Sequence, residues 1–196
     1  MPAQKETMKR LAIFGSGTGS NARAILEHFQ NHKEVEIVLV ASNKEEAGIL
    51  NHALDFGVET LLLTKSDLHS GASLRYLKAK GVNFIILAGY LWLIPEEMIE
   101  AFPNRIINIH PALLPNFGGK GMYGKHVHRA VSESGADKTG ITIHFVNKEY
   151  DKGEVIAQYS VEIEPGESPE TIEEKVRKLE LKHYPNCIGN TVKASL

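Results

Sequence analysis

Asn108 and His110 stand two residues apart at the end of an apolar run, Ile106-Ile107-Asn108-Ile109-His110. In a strand, residues i and i+2 point to one face. The amide and the imidazole therefore share a face, with the isoleucines buried on the other side. An imidazole titrates near neutrality and can carry protons. An amide N–H can donate to a carbonyl oxygen that gathers negative charge. Pro111 stops ladder pairing and Pro115 keeps the chain out of a helix. The pair thus sits at the very end of a buried strand, where α/β proteins place their ligands. The same residues also fit a plain strand edge and Pro-rich turn, with the histidine capping backbone groups.

Three other stretches could take part in chemistry. Gly15-Ser16-Gly17-Thr18-Gly19-Ser20-Asn21 follows an apolar strand and opens a helix. Glycines let backbone N–H groups approach a phosphate, and the helix presents its positive end. No Lys follows the last glycine as in a nucleotide-triphosphate loop, and the glycine spacing is not that of a dinucleotide fingerprint. The second strand ends in Ser42-Asn43-Lys44, with no acid at its tip to hold a ribose diol. A phosphate monoester fits this loop better than a pyrophosphate; a tight strand-to-helix turn fits it as well. Asp151, between Tyr150 and Lys152-Gly153, lies in a turn, where an aspartate commonly bonds its own backbone. Leu91-Trp92-Leu93-Ile94 runs out of a buried strand as an apolar lip. It suits a flat heteroaromatic ligand or packing beneath a helix.

The elements that must position these residues alternate. Apolar or β-branched runs at 11–14, 35–41, 59–63, 84–88 and 106–109 read as strands. Helical patterns fall at 22–29, 47–56, 68–80 and 96–101. Such alternation implies right-handed βαβ units and an α/β fold with a mostly parallel, Rossmann-like, doubly wound sheet. Beyond it, residues 118–125 hold four glycines and read as a loop, and 126–134 as a helix. Residues 140–147 and 154–162 alternate as strands. A helix from Ser168 to Tyr184 closes the chain, with Ser168 as cap and Pro169 in its first turn. Residues 1–8 read as a flexible leader, and 9–196 as one domain. Its halves are 9–105, which holds the candidate phosphate loop, and 106–196, which holds Asn108, His110 and Asp151.

Composition narrows the class. Of 196 residues, 42% are hydrophobic and 23% charged, as in an ordinary globular chain. A net charge of −2 advertises no surface for nucleic acid or an anionic membrane. No apolar run approaches membrane-spanning length, and the polar start has no signal-peptide core. The single cysteine, Cys187, allows no internal disulfide and reads as a helix-packing residue in a reducing compartment, the cytoplasm. His126 and His128 lack companions at metal spacing, and His144 reads as a structural residue of its strand, so no metal site is expected.

Read together, several segments resemble a known family. They are Ser16-Gly17-Thr18-Gly19-Ser20-Asn21, Leu87-Ala88-Gly89-Tyr90, Asn108-Ile109-His110-Pro111-Ala112-Leu113-Leu114-Pro115, Gly140-Ile141-Thr142-Ile143-His144-Phe145-Val146 and Tyr150-Asp151-Lys152-Gly153-Glu154-Val155-Ile156-Ala157-Gln158. In this order the chain resembles the phosphoribosylglycinamide formyltransferases over residues 9–190. The resemblance implies the formyltransferase fold and a reaction of purine synthesis, in which a formyl group passes from 10-formyltetrahydrofolate, a cosubstrate, to the amine of glycinamide ribonucleotide. It implies Asn108, His110 and Asp151 as catalytic residues, with Asp151 favouring the protonated imidazole. Gly19, Ser20 and Asn21 would hold the substrate phosphate, and Glu180 would bind the substrate. Leu91, Trp92, Leu93, Ile94, Asn108, Asn147, Lys148, Glu149, Tyr150 and Asp151 would line the folate pocket. The partners implied are these small molecules, with neither nucleic acid nor membrane, for a monomer or homodimer.

The chain departs from the family's pattern in three places. The glycine-rich loop at 117–125 is longer than in many members. The short segment at 66–74 leaves the family's folate-side arginine unplaced, Arg75 being a weak match. The strands that follow the last helix in some members are missing. Formyltetrahydrofolate hydrolase shares the three catalytic residues but usually carries a regulatory domain ahead of them. Methionyl-tRNA formyltransferase would want an added C-terminal domain and a basic face. A nucleotide-binding relative without turnover is the alternative from another class, and the intact Asn108, His110 and Asp151 speak against it.

Overall fold

The computed structural model describes residues 8–195. The expected leader, residues 1–8, lies outside them except for Met8, which is exposed. The described residues divide into two compact units, one ending at Tyr90 and the other starting at Leu91.

The first unit alternates β1 (Lys9–Gly15), α1 (Ser20–Phe29), β2 (Val35–Ser42), α2 (Gly48–Asp55), β3 (Thr60–Leu62), α3 (Lys65–His69), α4 (Ala72–Ala79) and β4 (Phe84–Leu87). Its strands lie in the order β3-β2-β1-β4, each pair parallel. Leu11, Ala12, Ile13 and Phe14 are all fully buried. Such an unbroken apolar run, rather than an alternating one, marks a parallel strand covered on both faces. The single helix expected over 68–80 is instead two helices, α3 and α4. Thr64 caps α3 by accepting from Asp67 N at 3.1 Å, while the Asp67 carboxylate accepts from Thr64 N at 3.3 Å. Gly71 then takes a left-handed φ of 68°, which a continuing helix does not permit.

The second unit contains α5 (Glu96–Ala101), β5 (Ile106–His110), α6 (Lys125–Ser134), β6 (Lys138–Phe145), β7 (Val155–Glu162) and α7 (Pro169–Ala194). β5, β6 and β7 pair antiparallel in that order. With three parallel pairs in the first unit, strand pairing is mostly parallel and the class is α/β, as expected.

α7 does not stop at Tyr184, as the sequence suggests, but runs through Pro185 to Ala194. A proline inside a helix costs about 3 kcal/mol because the Leu181 carbonyl loses its donor. The cause of the continuation is the buried stripe Ile172, Val176, Tyr184, Ile188 and Val192, spaced by four residues except where Glu180 interrupts it. Burying Ile188 and Val192 contributes about 1.5–3 kcal/mol each, enough to offset the missing bond. The Tyr184 hydroxyl also donates to the Ile107 carbonyl, tying α7 to β5.

Candidate active site

β5 delivers the pair as its pleat requires. Ile107 and Ile109 are buried, and His110, only 3% exposed, ends the strand. Thr142, its register partner on β6, fastens the chain that follows. The Thr142 hydroxyl donates to the Ala112 carbonyl at 2.7 Å and accepts from Leu114 N and from Gln158 Nε2, both at 2.9 Å. The Leu114–Pro115 peptide is cis.

Asp151 reaches the same place from the turn between β6 and β7. Asn147 shapes that turn, donating to the Lys152 carbonyl at 2.9 Å and accepting from Glu149 N at 3.0 Å. Gly153 is required there, because a Cβ would stand 1.6 Å from the Phe145 carbonyl oxygen. Asp151 itself has a φ of 57°, a conformation that aspartate tolerates better than most residues. Its Oδ2 lies 3.4 Å from His110 Nδ1 and accepts from Gly119 N at 2.9 Å. On the other side of the ring, His110 Nε2 donates to the Phe117 carbonyl at 2.8 Å.

His144, expected to be structural, belongs to this cluster. It is 2% exposed and pairs in register with Asn108. Its Nδ1 donates to the Phe145 carbonyl at 2.8 Å, which leaves Nε2 to accept from Asn108 Nδ2 at 3.1 Å. Its Nε2 is also 3.7 Å from Asp151 Oδ1, an ion-pair separation open only to a protonated ring. The alternation of strand 140–147 puts Thr142 and His144 on one face, and that signal could have found both.

Burial pushes the His110 pKa down; Asp151 and the Phe117 carbonyl oppose this, His144 adds to it, and the net shift is downward. Asp151 does favour the protonated ring, but desolvation of the ring outweighs the carboxylate. For Asp151, burial raises the pKa, but the His144 and His110 rings and the Gly119 N–H prevail and hold the carboxyl below its usual range. The arrangement is an ionised carboxylate, a neutral imidazole poised to accept a proton, and an amide with one N–H held by His144 and a second to offer a ligand.

The remaining expected residues fall as follows. Leu91 and Leu93 are exposed and Trp92 half-buried, whereas Ile94 enters the core. Tyr150 is exposed, Lys148 pairs with Glu96 and Glu100, and Glu149 with Lys152. Glu180 occupies the position between Val176 and Tyr184 on the buried stripe of α7, a place otherwise taken by apolar side chains. His128, near the start of α6, is buried and its Nδ1 has no hydrogen-bond partner. Among the described residues no group of three or more His, Cys, Asp or Glu could hold a metal ion.

In the first unit, Gly19 caps α1 with a left-handed φ of 84°, and α1 has no acid in its first turn. A Cβ at Gly19 would lie 2.7 Å from Ile49 Cα of α2. Ser20 and Asn21 open the helix, whose end carries positive partial charge. A cleft of about 730 Å³ adjoins the earlier part of the loop, lined by Ser16, Gly17, Thr18, Lys44, Gly48 and His52 among others.

Residues 9–188 match the formyl transferase family. A chloroplastic phosphoribosylglycinamide formyltransferase of Arabidopsis thaliana is 45% identical over 188 residues, covering 92% of this chain. The chain spans less than two thirds of the plant relatives it matches, 64% and 60% of their lengths. The phosphoribosylglycinamide formyltransferase of Bacillus subtilis is 34% identical over 92% of this chain and 93% of its own. The crystal structure of glycinamide ribonucleotide transformylase 1 from Symbiobacterium toebii superposes with a TM-score of 0.85 at 32% identity, covering 96% of this chain and 89% of that one.

Proposed function

We propose, for a chain that belongs to the formyl transferase family and stands with its phosphoribosylglycinamide formyltransferases, that it transfers a formyl group from 10-formyltetrahydrofolate to the amine of glycinamide ribonucleotide, a step of purine synthesis. The observation that carries this reading is the buried convergence of Asn108, His110 and Asp151 with His144 at the end of β5. The amine nitrogen attacks the formyl carbon, a tetrahedral oxyanion forms, and the bond from that carbon to the folate nitrogen breaks. The free N–H of Asn108 stabilises the oxyanion, a contribution of about 3 kcal/mol in comparable sites. His110 takes the proton that the attacking amine sheds and returns one to the departing folate nitrogen. Asp151 steadies the imidazolium between those events.

Gly19, Ser20 and Asn21 hold the phosphate with backbone N–H groups, and Glu180 meets the rest of that substrate. The exposed Leu91 and Leu93, with Trp92 and the turn of Asn147, Lys148, Glu149 and Tyr150, receive the folate ring. Ile94 supports them from the core. The partners are these small molecules and no metal takes part. We place the chain in the cytoplasm as a monomer or homodimer, on the strength of its single cysteine and modest charge; the plant relatives are named chloroplastic.

The test follows tetrahydrofolate release by the purified chain, with and without glycinamide ribonucleotide. Release that needs the amine is expected. Release that ignores it makes the protein a hydrolase, and binding without release makes it a non-catalytic relative.

A further inference from the structure

We propose that Phe117 is a positioning residue: its left-handed backbone holds its carbonyl against His110 Nε2 and thereby makes Nδ1, on the Asp151 side, the nitrogen that takes the proton. A carbonyl oxygen can only accept, so at 2.8 Å the hydrogen of a neutral ring must sit on Nε2. The lone pair is then on Nδ1, facing Asp151 Oδ2 at 3.4 Å. A carboxylate and a bare nitrogen have no hydrogen to share, and the separation is longer than a good hydrogen bond. A proton arriving at Nδ1 turns that contact into a charge-assisted bond.

The backbone marks this contact as imposed rather than incidental. Among the described residues, the non-glycine residues with positive φ are Asn104, Phe117 and Asp151. Two of these three are the residues that face the two nitrogens of His110. Asparagine and aspartate enter the left-handed region readily; phenylalanine does not. Phe117, at φ 55°, holds it although Gly118 and Gly119 follow directly. Such strain persists only where the surroundings over-determine it, and it gathers at functional sites. The titratable groups around the ring are Asp151 from the turn, His144 from β6 and the buried His128 from α6. Of these, Asp151 favours the charged ring and faces Nδ1, so the carboxylate side is the place for the proton.

Two measurements test this. The first is ¹⁵N NMR of histidine-labelled wild type, which needs no variant and no substrate. The expected His110 signature is Nε2–H with an unprotonated Nδ1; the opposite tautomer overturns the proposal. The second compares Phe117→Asn with Phe117→Val in the formyl-transfer assay. Both remove the aromatic ring, but asparagine accepts a left-handed backbone and a β-branched valine resists it. Phe117→Asn is expected to keep kcat and the tautomer. Phe117→Val is expected to lose roughly tenfold to a hundredfold in kcat, the scale of a misplaced catalytic group, with the acid limb of its pH profile moved to lower pH. Equal loss in both variants, or no loss in either, overturns the backbone role. The inference rests on the formyl-transfer reading only for where the proton comes from. A wild type that releases no tetrahydrofolate defeats that reading, while the tautomer still decides this one.

Discussion

Both ring nitrogens of His110 face oxygen acceptors while the ring is shut away from water, and these two facts pull its charge in opposite directions. Desolvation prevails, so the imidazole begins neutral and Asp151 sets how strongly it holds a proton once it has one. Replacing Asp151 by Asn tests this cleanly, because asparagine also tolerates the φ of 57° and keeps the volume. Substrate affinity should survive while kcat falls by roughly two orders of magnitude or more, the scale of lost acid–base catalysis. The acid limb of the profile should move to lower pH, since the carboxylate opposes the depression of His110. Near-normal kcat with a lowered melting temperature would return Asp151 to the part of an ordinary turn residue. For the lip, folate analogues should quench the fluorescence of Trp92, the only tryptophan; unchanged emission at saturating ligand would move the folate ring elsewhere.

The loop between β1 and α1 must hold its shape before it can hold a phosphate. Gly19→Ala places a Cβ 2.7 Å from the backbone of α2 on a residue at φ 84°. A cost of more than about 1 kcal/mol in stability is expected, together with a rise in KM for the phosphorylated substrate and little change in KM for the folate. A rise in the folate KM alone would place the phosphate away from this loop. That loop and its flanking elements were legible in the sequence because an apolar strand, a run of glycines and a helical pattern follow one another, and β5 because its isoleucines end sharply at His110-Pro111. Gly71 was not: inside an amphipathic pattern a glycine reads as tolerated, and only the cap at Thr64 reveals the earlier helix start. Pro185 was misread as a stop, since its local cost is visible in the sequence and the tertiary burial of Ile188 and Val192 is not. At the site, Asn108 and His110 were legible from spacing and Asp151 only by resemblance. His144 was passed over because its partner across the ladder depends on register. Phe117 could not be found at all, for it contributes a backbone atom.

Across the whole molecule two buried histidines, His110 and His128, shape the first response to acid. His110 and His128 have folded pKa values pushed below the ordinary one, in both cases chiefly by burial. The unfolded chain therefore binds protons more readily than the folded one as pH falls. The stability these rings contribute is complete above their unfolded value of about 6.5 and is lost as pH falls through the folded values. Asp151, also depressed in the fold, contributes stability that is lost only at lower pH, starting near its unfolded value of about 3.9. Melting temperature should be level above about pH 7 and decline in two stages below it; a constant or rising Tm between pH 7 and 5 would show that the rings are not held neutral. The central chemical claim is that the formyl carbon ends on the substrate amine. Single turnover with 10-formyltetrahydrofolate labelled with ¹³C in the formyl group measures it directly. The label is predicted on the amine nitrogen of glycinamide ribonucleotide, one formyl for each tetrahydrofolate released, whereas label recovered as free formate, or retained on the folate, would contradict it.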